Sequence, residues 1–259
     1  MAENETFFEK LRAFFEEIGE MSRFAGRYFR EAVSPPFEFK ELLKQCYYMG
    51  NKSFFLVGVT GLILGVVFTL QTRPTLEEFG AVAWMPSMIS ISIVREIGPV
   101  IIALICAGRI GSSIGAELGS MRVTEQIDAM EVSGTNPFKF LVVTRITATT
   151  LMIPLLVIWG DFIALIGSAF VENIKGAVTF QLYFNQAFNA LAFSDLLPAT
   201  AKTFLFGFAI GLVGCFKGYN SKKGTAGVGK ASNSAVVYTS MLLFIIDFIA
   251  VFVTDLIYQ

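Results

Sequence analysis

The sequence of 259 residues contains no histidine and only three cysteines, Cys46, Cys106 and Cys215. Without histidine the chain has no Ser-His-Asp triad, no histidine metal ligand and no histidine proton relay. The cysteines are odd in number and far apart, which matches neither a zinc-binding spacing nor a disulfide framework. We therefore interpret them as small apolar residues, and we expect no catalytic residue, metal or bound cofactor in this chain.

Charged residues are also scarce: they make up 16% of the chain, against about 25% in an average soluble protein. Hydrophobic residues account for 54%, so the composition predicts a membrane protein. The net charge of −1 and the lack of a long basic run argue against nucleic acid as a partner. The acidic start MAENETFFEK is unlike a signal or transit peptide, so we expect a bacterial inner-membrane protein that inserts through internal segments.

Five segments are apolar and long enough to cross about 30 Å of hydrocarbon. They predict an all-α membrane protein with spans at residues 54–71, 87–108, 140–171, 196–216 and 235–257. Lysine and arginine are strongly asymmetric around these spans: sixteen lie on the side of the N-terminus and two on the opposite side. The positive-inside rule therefore predicts a cytoplasmic N-terminus, and five spans then leave the C-terminus in the periplasm.

Residues 1–52 are predicted to form a cytoplasmic or interfacial segment ahead of a five-span domain at residues 53–259. Apolar residues at three-four spacing predict an amphipathic helix lying on the membrane, with a stripe formed by Phe7, Leu11, Phe14, Ile18, Met21, Ala25 and Tyr28. The motif SPPF at 34–37 ends this helix, and a second apolar face leads into the first span as an interfacial elbow. A coiled-coil or partner-binding helix is the alternative.

The third predicted span is long for a straight crossing, because about 32 residues at 1.5 Å each extend roughly 48 Å. It tilts, kinks near Pro154, or projects beyond the bilayer. The aromatic stretch AVTFQLYFNQAFNALAF that follows predicts a short helix at the outer surface, with a re-entrant segment as the alternative.

Five charged residues lie well inside predicted spans, away from the span ends, where Arg, Lys or Asp costs about 2.5–3.5 kcal/mol: Arg95, Glu96, Asp161, Lys202 and Asp247. Adjacent helical residues point about 100° apart, so Arg95 and Glu96 should not pair with each other and each needs its own partner. Pro99 leaves the carbonyl of Arg95 without a helical donor and favours a kink there. The charges form either a buried ion network or, at Arg95 and Lys202, a site for an anionic headgroup.

Glycines recur at GxxxG spacing in GLILG, GSSIG, GAELG and GFAIG, which allows helices to approach closely. They serve either packing within the chain or a homodimer seam. A second glycine-rich motif, GTAGVGKAS at 224–232, nearly matches a phosphate-binding loop but has Ala231 where the Mg²⁺-binding Ser or Thr is required. We interpret it as a flexible cytoplasmic turn.

Between the second and third spans, charged and apolar residues alternate in GAELGSMRVTEQIDAMEVSGTNPF. The pattern predicts a short amphipathic cytosolic helix at about 117–132, which Gly134 and Pro137 end. Such a helix either caps the bundle or couples it to a separate ATPase.

The run REIGPVIIALICAGRIGSSIGAELGSMRVTEQIDAMEVSGTNP, with the later GVGKAS, resembles the MlaE (YrbE) family of ABC-transporter permeases. The resemblance extends across nearly the whole chain, and DAMEVSG at 128–134 has the spacing of an importer coupling motif. It implies a non-catalytic permease that moves phospholipids between inner and outer membranes and maintains outer-membrane lipid asymmetry.

The resemblance also implies partners and sites. The partners are a second copy of the chain, a cytosolic ATPase subunit that binds ATP, a periplasmic MCE-domain protein and a small STAS-like accessory subunit. Arg95, Glu96 and Lys202 would bind lipid. The ATPase-coupling residues would be Glu117, Arg122, Glu125 and Asp128.

Two other function classes remain open at this point. An ion-coupled carrier would use Asp161, Asp247 and Glu96 as proton or sodium sites. A non-transporting scaffold would rest on the interfacial helix and the glycine seams, and it would tolerate neutral residues at all five intramembrane charges.

Overall fold

A computed structural model describes residues 2–175, 178–221 and 224–258 of the chain. Over these ranges the backbone forms helices, turns and short connections without a strand, which confirms the all-α class. Five helical runs are long and apolar enough to cross a membrane: Phe39–Glu78, Val82–Val123, Phe138–Ile174, Phe193–Tyr219 and Thr225–Ile257. Each of them contains one of the five predicted spans.

The α-helices in the described residues are, in chain order, α1 (Ala2–Val33), α2 (Phe39–Glu78), α3 (Met85–Ser92), α4 (Gly98–Cys106), α5 (Ser112–Val123), α6 (Gln126–Val132), α7 (Thr144–Ile174), α8 (Phe180–Ala190), α9 (Phe193–Tyr219) and α10 (Thr225–Tyr258). Helix α1 packs at the end of the bundle where α7 begins and α9 ends. Helix α8 packs at the opposite end, against α3 and the last turns of α7. We refer to these as the α1 end and the α8 end.

The second half of α1 is attached to the bundle by aromatic contacts. The ring of Phe24 packs edge-on against those of Phe138 and Phe216, with centroids 4.9 and 5.5 Å away. The hydroxyl of Tyr28 lies 3.1 Å from Oγ1 of Thr147 on α7. Of the amphipathic stripe, Tyr28 belongs to the core and Met21 and Ala25 pack against it, so this part of the stripe contacts protein.

The predicted break after α1 is confirmed, because α1 ends at Val33 and α2 begins at Phe39. The boundary predicted at residue 52 lies within α2, which runs for 40 residues through that position without interruption. Good helix formers such as Leu, Lys, Gln and Met dominate this stretch, and they sustain the helix across Gly50. The side chains of Phe7, Leu11 and Phe14 lie outside the described residues, and the membrane-surface position of α1 stays a prediction.

The second span is one helical run that changes its winding twice. A π-helical turn at Ile93–Ile97 separates α3 from α4, and another at Ala107–Gly111 separates α4 from α5. In the first turn the amide of Gly98 donates to the carbonyl of Ile93, five residues earlier. Because Pro99 cannot donate, the helix passes this position through a wider turn, at the depth where the sequence predicted a disturbance.

The prediction of a single coupling helix over residues 117–132 is wrong. Helix α5 ends at Val123, and the seven-residue helix α6 begins at Gln126. Between them Glu125 has a left-handed backbone with φ of 58°, which turns the chain. Non-glycine residues adopt this conformation rarely, so the alternation of charged and apolar residues did not indicate the turn. We call residues 112–132 the α5–α6 corner.

The flexible turn predicted at 224–232 is also wrong. Gly224 has φ of 107°, and α10 begins immediately after it at Thr225. Glycine costs about 1 kcal/mol in a helix interior, but packing overrides this propensity here. A Cβ placed on Gly115 of α5 would lie 3.3 Å from the carbonyl oxygen of Ala231 and 3.4 Å from the Cβ of Ala235.

The third span begins in a π-helical turn at Phe138–Val143 and continues as α7 through Pro154 to Ile174. The short helix predicted after it is present as α8. The buried hydroxyl of Tyr183 on α8 donates to Oγ of Ser168 on α7 at 2.6 Å. Burial raises the pKa of Tyr183 to about 12. This contact attaches α8 to the bundle, and its position relative to a membrane stays a prediction.

Helices α2 and α7 run parallel in a constant register. Four pairs of residues, each 99 positions apart in the chain, face one another: Gly61 with Gly160, Gly65 with Ala164, Thr69 with Ser168 and Arg73 with Glu172. The hydroxyls of Thr69 and Ser168 are 2.6 Å apart, and Arg73 NH1 lies 3.0 Å from Glu172 Oε1. The two helices are thus held together along about 12 residues by backbone contact and polar bonds.

The glycine motifs serve packing within the chain. A Cβ on Gly61 would lie 2.4 Å from the carbonyl oxygen of Gly160, and one on Gly207 would lie 2.6 Å from that of Thr149. Both distances are shorter than side chains tolerate, so these glycines allow α2 and α9 to contact α7 directly. Of the two readings left open by the sequence, the structure shows internal packing at Gly61 and Gly207.

Candidate functional site

Lys202 on α9 lies at the centre of an ion network inside the bundle. Its Nζ donates to Oε2 of Glu96 at 2.6 Å and to Oδ1 of Asp247 at 2.9 Å, which joins the second, fourth and fifth spans. The Lys202 side chain is 4% exposed, whereas both carboxylates are partly exposed. A buried ammonium is costly unless it is paired and hydrogen-bonded, and the two carboxylates provide that pairing.

Arg95 lies at the exposed edge of the same network. Its NH1 is 3.5 Å from Oδ1 of Asp195 in the first turn of α9, and its Nε is 3.8 Å from Oε1 of Glu96. The expectation that Arg95 and Glu96 do not pair is therefore wrong, although 3.8 Å is a long contact. The π-helical turn that contains both residues reduces the angle between neighbouring side chains and permits this contact. The second expectation is confirmed, because each also has a separate and closer partner, Asp195 for Arg95 and Lys202 for Glu96.

Asp161 on α7 is buried beside this network. A Cβ on Gly98 would lie 1.8 Å from Oδ1 of Asp161, so only glycine fits at that position. The same oxygen is buried and has no hydrogen-bond partner in the part of the chain that the structure describes. Asp161 also lines a cavity of about 190 Å³ together with Pro99 and Pro154. A buried carboxyl oxygen without a partner is energetically costly.

A groove between α9 and α10 opens onto Lys202. Its volume is about 670 Å³. The walls are mainly apolar and include Leu197, Ala201, Leu205, Ile249, Ala250 and Val253. A narrow cleft lined by Arg95, Glu96 and Asp195 adjoins it, and both cavities share Lys202 and Thr254. The arrangement is amphipathic: an apolar groove with charged groups at one side.

The structure brings the three predicted lipid-binding residues, Arg95, Glu96 and Lys202, into one network. Both cations are already paired with carboxylates. An anionic group that enters must therefore share or replace these ion pairs. Sequence reasoning missed Asp195, because a polar residue at the edge of a predicted span needs no special partner.

The predicted ATPase-coupling residues divide into two groups. Glu117 on α5 is bound from inside the protein, since its Oε1 accepts a hydrogen bond from NH2 of Arg145 at 2.9 Å. Arg122 NH1 and Asp128 Oδ1 lie 2.5 Å apart across the exposed side of the α5–α6 corner, and Glu125 forms the turn itself. Their contact with an ATPase stays a prediction. Arg145 was missed, because a basic residue near the end of a predicted span needs no special partner.

The chain is similar in sequence to a family of known proteins. Residues 42–253 match the family model described as Permease MlaE. The chain is 35% identical over 244 residues to a probable ABC transporter permease protein of Rickettsia bellii (strain RML369-C), covering 94% of this chain and 93% of that protein. A probable ABC transporter permease protein of Synechocystis is 32% identical over 223 residues, with 86% and 85% coverage.

A plant protein is also similar. The chloroplastic protein TRIGALACTOSYLDIACYLGLYCEROL 1 of Arabidopsis thaliana is 29% identical over 225 residues, which are 87% of this chain and 64% of the plant protein.

Proposed function

The chain belongs to the MlaE family of ABC transporter permeases, and from this premise we propose that it moves phospholipids between the inner and outer membranes of a bacterial envelope. Its membership of the family confirms the resemblance seen in the sequence. In this proposal the transport maintains the lipid asymmetry of the outer membrane. The observation that carries the proposal is the groove between α9 and α10, with Lys202 at its side.

The groove has the chemistry that a phospholipid requires. Acyl chains lose water contact against its apolar walls, while a phosphate interacts with the ammonium of Lys202 and the guanidinium of Arg95. Glu96, Asp195 and Asp247 hold these cations in place before the lipid arrives, and exchange of ion pairs lets a headgroup enter and leave. The name of the plant relative contains that of a glycerolipid, which supports lipid handling within the family.

The proposed assembly contains two copies of this chain, a cytosolic ATPase subunit, a periplasmic MCE-domain protein and a STAS-like accessory subunit. ATP binds to the ATPase, and this chain holds no cofactor. The N-terminus is cytoplasmic and the C-terminus periplasmic, which gives the ATPase access to the α5–α6 corner.

The decisive experiment places a larger side chain in the groove between α9 and α10. In the variant Ala250→Trp an indole occupies the space beside Lys202, and the phospholipid retained by the purified complex should fall at least about tenfold in native mass spectrometry. The matched control is Leu151→Trp, which changes an exposed position on α7 outside the groove and should retain the lipid. Wild-type lipid occupancy in the groove variant would refute the proposal.

An ion-coupled carrier is the second candidate, and the unpaired buried oxygen of Asp161 favours it. Such a carrier would transport without the ATPase and would stop when the ion gradient is dissipated. Vesicles that contain this chain alone separate the two mechanisms. Transport that requires ATP and the ATPase subunit, and persists without an ion gradient, excludes the carrier.

A further inference from the structure

Arg145 is a buried arginine that connects the α5–α6 corner to the beginning of the third span. Its NH2 donates to Oε1 of Glu117 on α5 at 2.9 Å. Its NH1 donates to the carbonyl oxygen of Leu141, inside the π-helical turn Phe138–Val143, at 3.0 Å. The Arg145 side chain is 3% exposed, whereas that of Glu117 is 48% exposed. One side chain thus contacts two separate helical elements.

The environment of Arg145 makes Glu117 its necessary counter-charge. The Nε atom of Arg145 is buried and has no hydrogen-bond partner among the described residues. The Leu141 carbonyl supplies only a partial negative charge. A guanidinium in this position is stable only while the carboxylate remains beside it, so any movement of Glu117 exerts a force on Arg145.

The α5–α6 corner behaves as one packed unit on the other side of this ion pair. Ile127 of α6 is fully buried, and the pair of Arg122 with Asp128 closes the corner on its exposed side. The last turns of α5 also contact α9 closely, because a Cβ on Gly218 would lie 2.8 Å from that of Leu118. A displacement of α6 would act on α5 through the pair of Arg122 with Asp128, and Glu117 lies on the same helix as Arg122.

On the inner side, α7 leads from Arg145 to the ion network. Asp161 is sixteen residues further along the same helix, which is about 24 Å. There it contacts the position of Gly98, next to Arg95 and Glu96 in the second span. Over part of this distance α7 packs closely against α2: a Cβ on Gly50 would lie 2.5 Å from Cε of Met152, and the indole of Trp159 donates to the carbonyl oxygen of Phe54 at 3.3 Å.

We propose that Arg145 is a positioning residue that transmits movement of the α5–α6 corner to α7, with Glu117 as its internal contact. This inference rests on the proposed function, because it assumes that an ATPase subunit moves the corner. It changes the expected role of Glu117. The carboxylate acts within the permease, while the more exposed residues of the corner face the ATPase.

The test measures how much ATP is hydrolysed for each phospholipid transferred by the assembled complex in vesicles. The variants are Glu117→Gln, Arg145→Met, their combination, and Arg145→Lys, which keeps the charge but not the second contact. The exposed pair of Arg12 with Glu16 provides the matched control, Arg12→Met. Replacing both partners of a buried pair by neutral groups is often tolerated, so the double variant should keep its wild-type melting temperature.

We expect both single variants to retain the ATPase subunit and its hydrolysis while lipid transfer per ATP falls at least about tenfold. Since the two residues act as one unit, the double variant should be no worse than either single variant, and Arg145→Lys should recover part of the coupling. A wild-type ratio of lipid to ATP in the folded double variant would overturn the inference. Loss of the ATPase subunit from Glu117→Gln would also overturn it, because Glu117 would then belong to the interface.

The wild-type complex separates this inference from the proposed function. If the wild type hydrolyses ATP and transfers lipid, a failure in the variants concerns Arg145 and Glu117 alone. If the wild type binds neither an ATPase nor phospholipid under conditions that preserve a control ABC complex, the proposed function itself is wrong.

Discussion

Gly65 on α2 and Ala164 on α7 are in backbone contact: a Cβ placed on Gly65 would lie 1.8 Å from the carbonyl oxygen of Ala164. The same register brings Thr69 to Ser168 one turn further along. Close approach at glycine is therefore a condition for the polar bonds that follow it, since a wider separation would pull the hydroxyl groups apart.

Replacing Gly65 by alanine should force α2 and α7 apart and destabilise the fold. Overpacking of this kind costs about 1–3 kcal/mol, and it should appear as a lower unfolding temperature in detergent. The control is Gly108→Ala in the second span, where a Cβ would meet nothing within 4 Å. Equal unfolding temperatures for the two variants would contradict the assigned contact.

Lys202→Met should be more destabilising than any substitution at an exposed ion pair. Removal of one partner from a buried pair costs about 3–5 kcal/mol, with the lower end expected because Glu96 and Asp247 are partly exposed. The variant with Glu96→Gln and Asp247→Asn added should recover most of this loss. Lys44→Met, at the exposed pair with Glu41, should change stability by about 1 kcal/mol or less in the same chemical unfolding experiment.

Glu125→Gly should stabilise the corner between α5 and α6. The left-handed backbone of Glu125 strains a side chain, and glycine adopts it freely, so we expect a gain of about 0.5–1 kcal/mol. Glu131→Gly, in the regular part of α6, should instead cost about 1 kcal/mol. Thermal unfolding of the two variants in parallel checks the sign, and a loss of stability in both would show that the turn does not require this conformation.

Alkaline pH should release the contact between α8 and α7. The pKa of Tyr183 is about 12 in the fold, against 10.0 for an ordinary tyrosine, so the protonated hydroxyl stabilises the folded state. This contribution is complete below the ordinary value and is lost as the pH rises toward 12. Tyr183→Phe should lose about 1 kcal/mol at neutral pH and depend less on pH than the wild type above pH 10. Stability measured from pH 8 to about pH 11.5 for both proteins provides the comparison, and parallel curves would contradict the prediction.

Long apolar runs made the five spans predictable, because the length of a hydrocarbon crossing and the scarcity of charge leave few alternatives. The energetic cost of placing a charge in hydrocarbon also predicted that Glu96, Lys202 and Asp247 need partners. Which residue pairs with which did not follow, since Glu96 and Lys202 are 106 positions apart and their contact depends on the packing of three helices.

The errors have a local physical cause. At Glu125 a single left-handed residue divides a pattern that otherwise suits one helix, and no glycine or proline marks the position. At 224–232 a turn was predicted where the chain is helical. Glycines there usually indicate a turn, but they lie in α10, where Ala231 and Ala235 pack against Gly115. Arg145 escaped notice because a basic residue near the end of a span is expected, whereas its burial depends on the whole fold.

Helix α10 packs against the rest of the protein more closely in its first half than in its second. Its buried residues fall at four-residue spacing over its first half, at Ala231, Ala235, Thr239 and Leu243, and none of the described residues beyond Leu243 is buried. The bond from Asp247 to Lys202 lies just past this anchored half. Beyond Leu243 the described residues of α10 are half-buried or exposed, and the bond that Lys202 donates to Asp247 attaches this part of the helix to α9. Because α9 and α10 form the walls of the groove, loss of this bond would let the two walls separate and the groove widen.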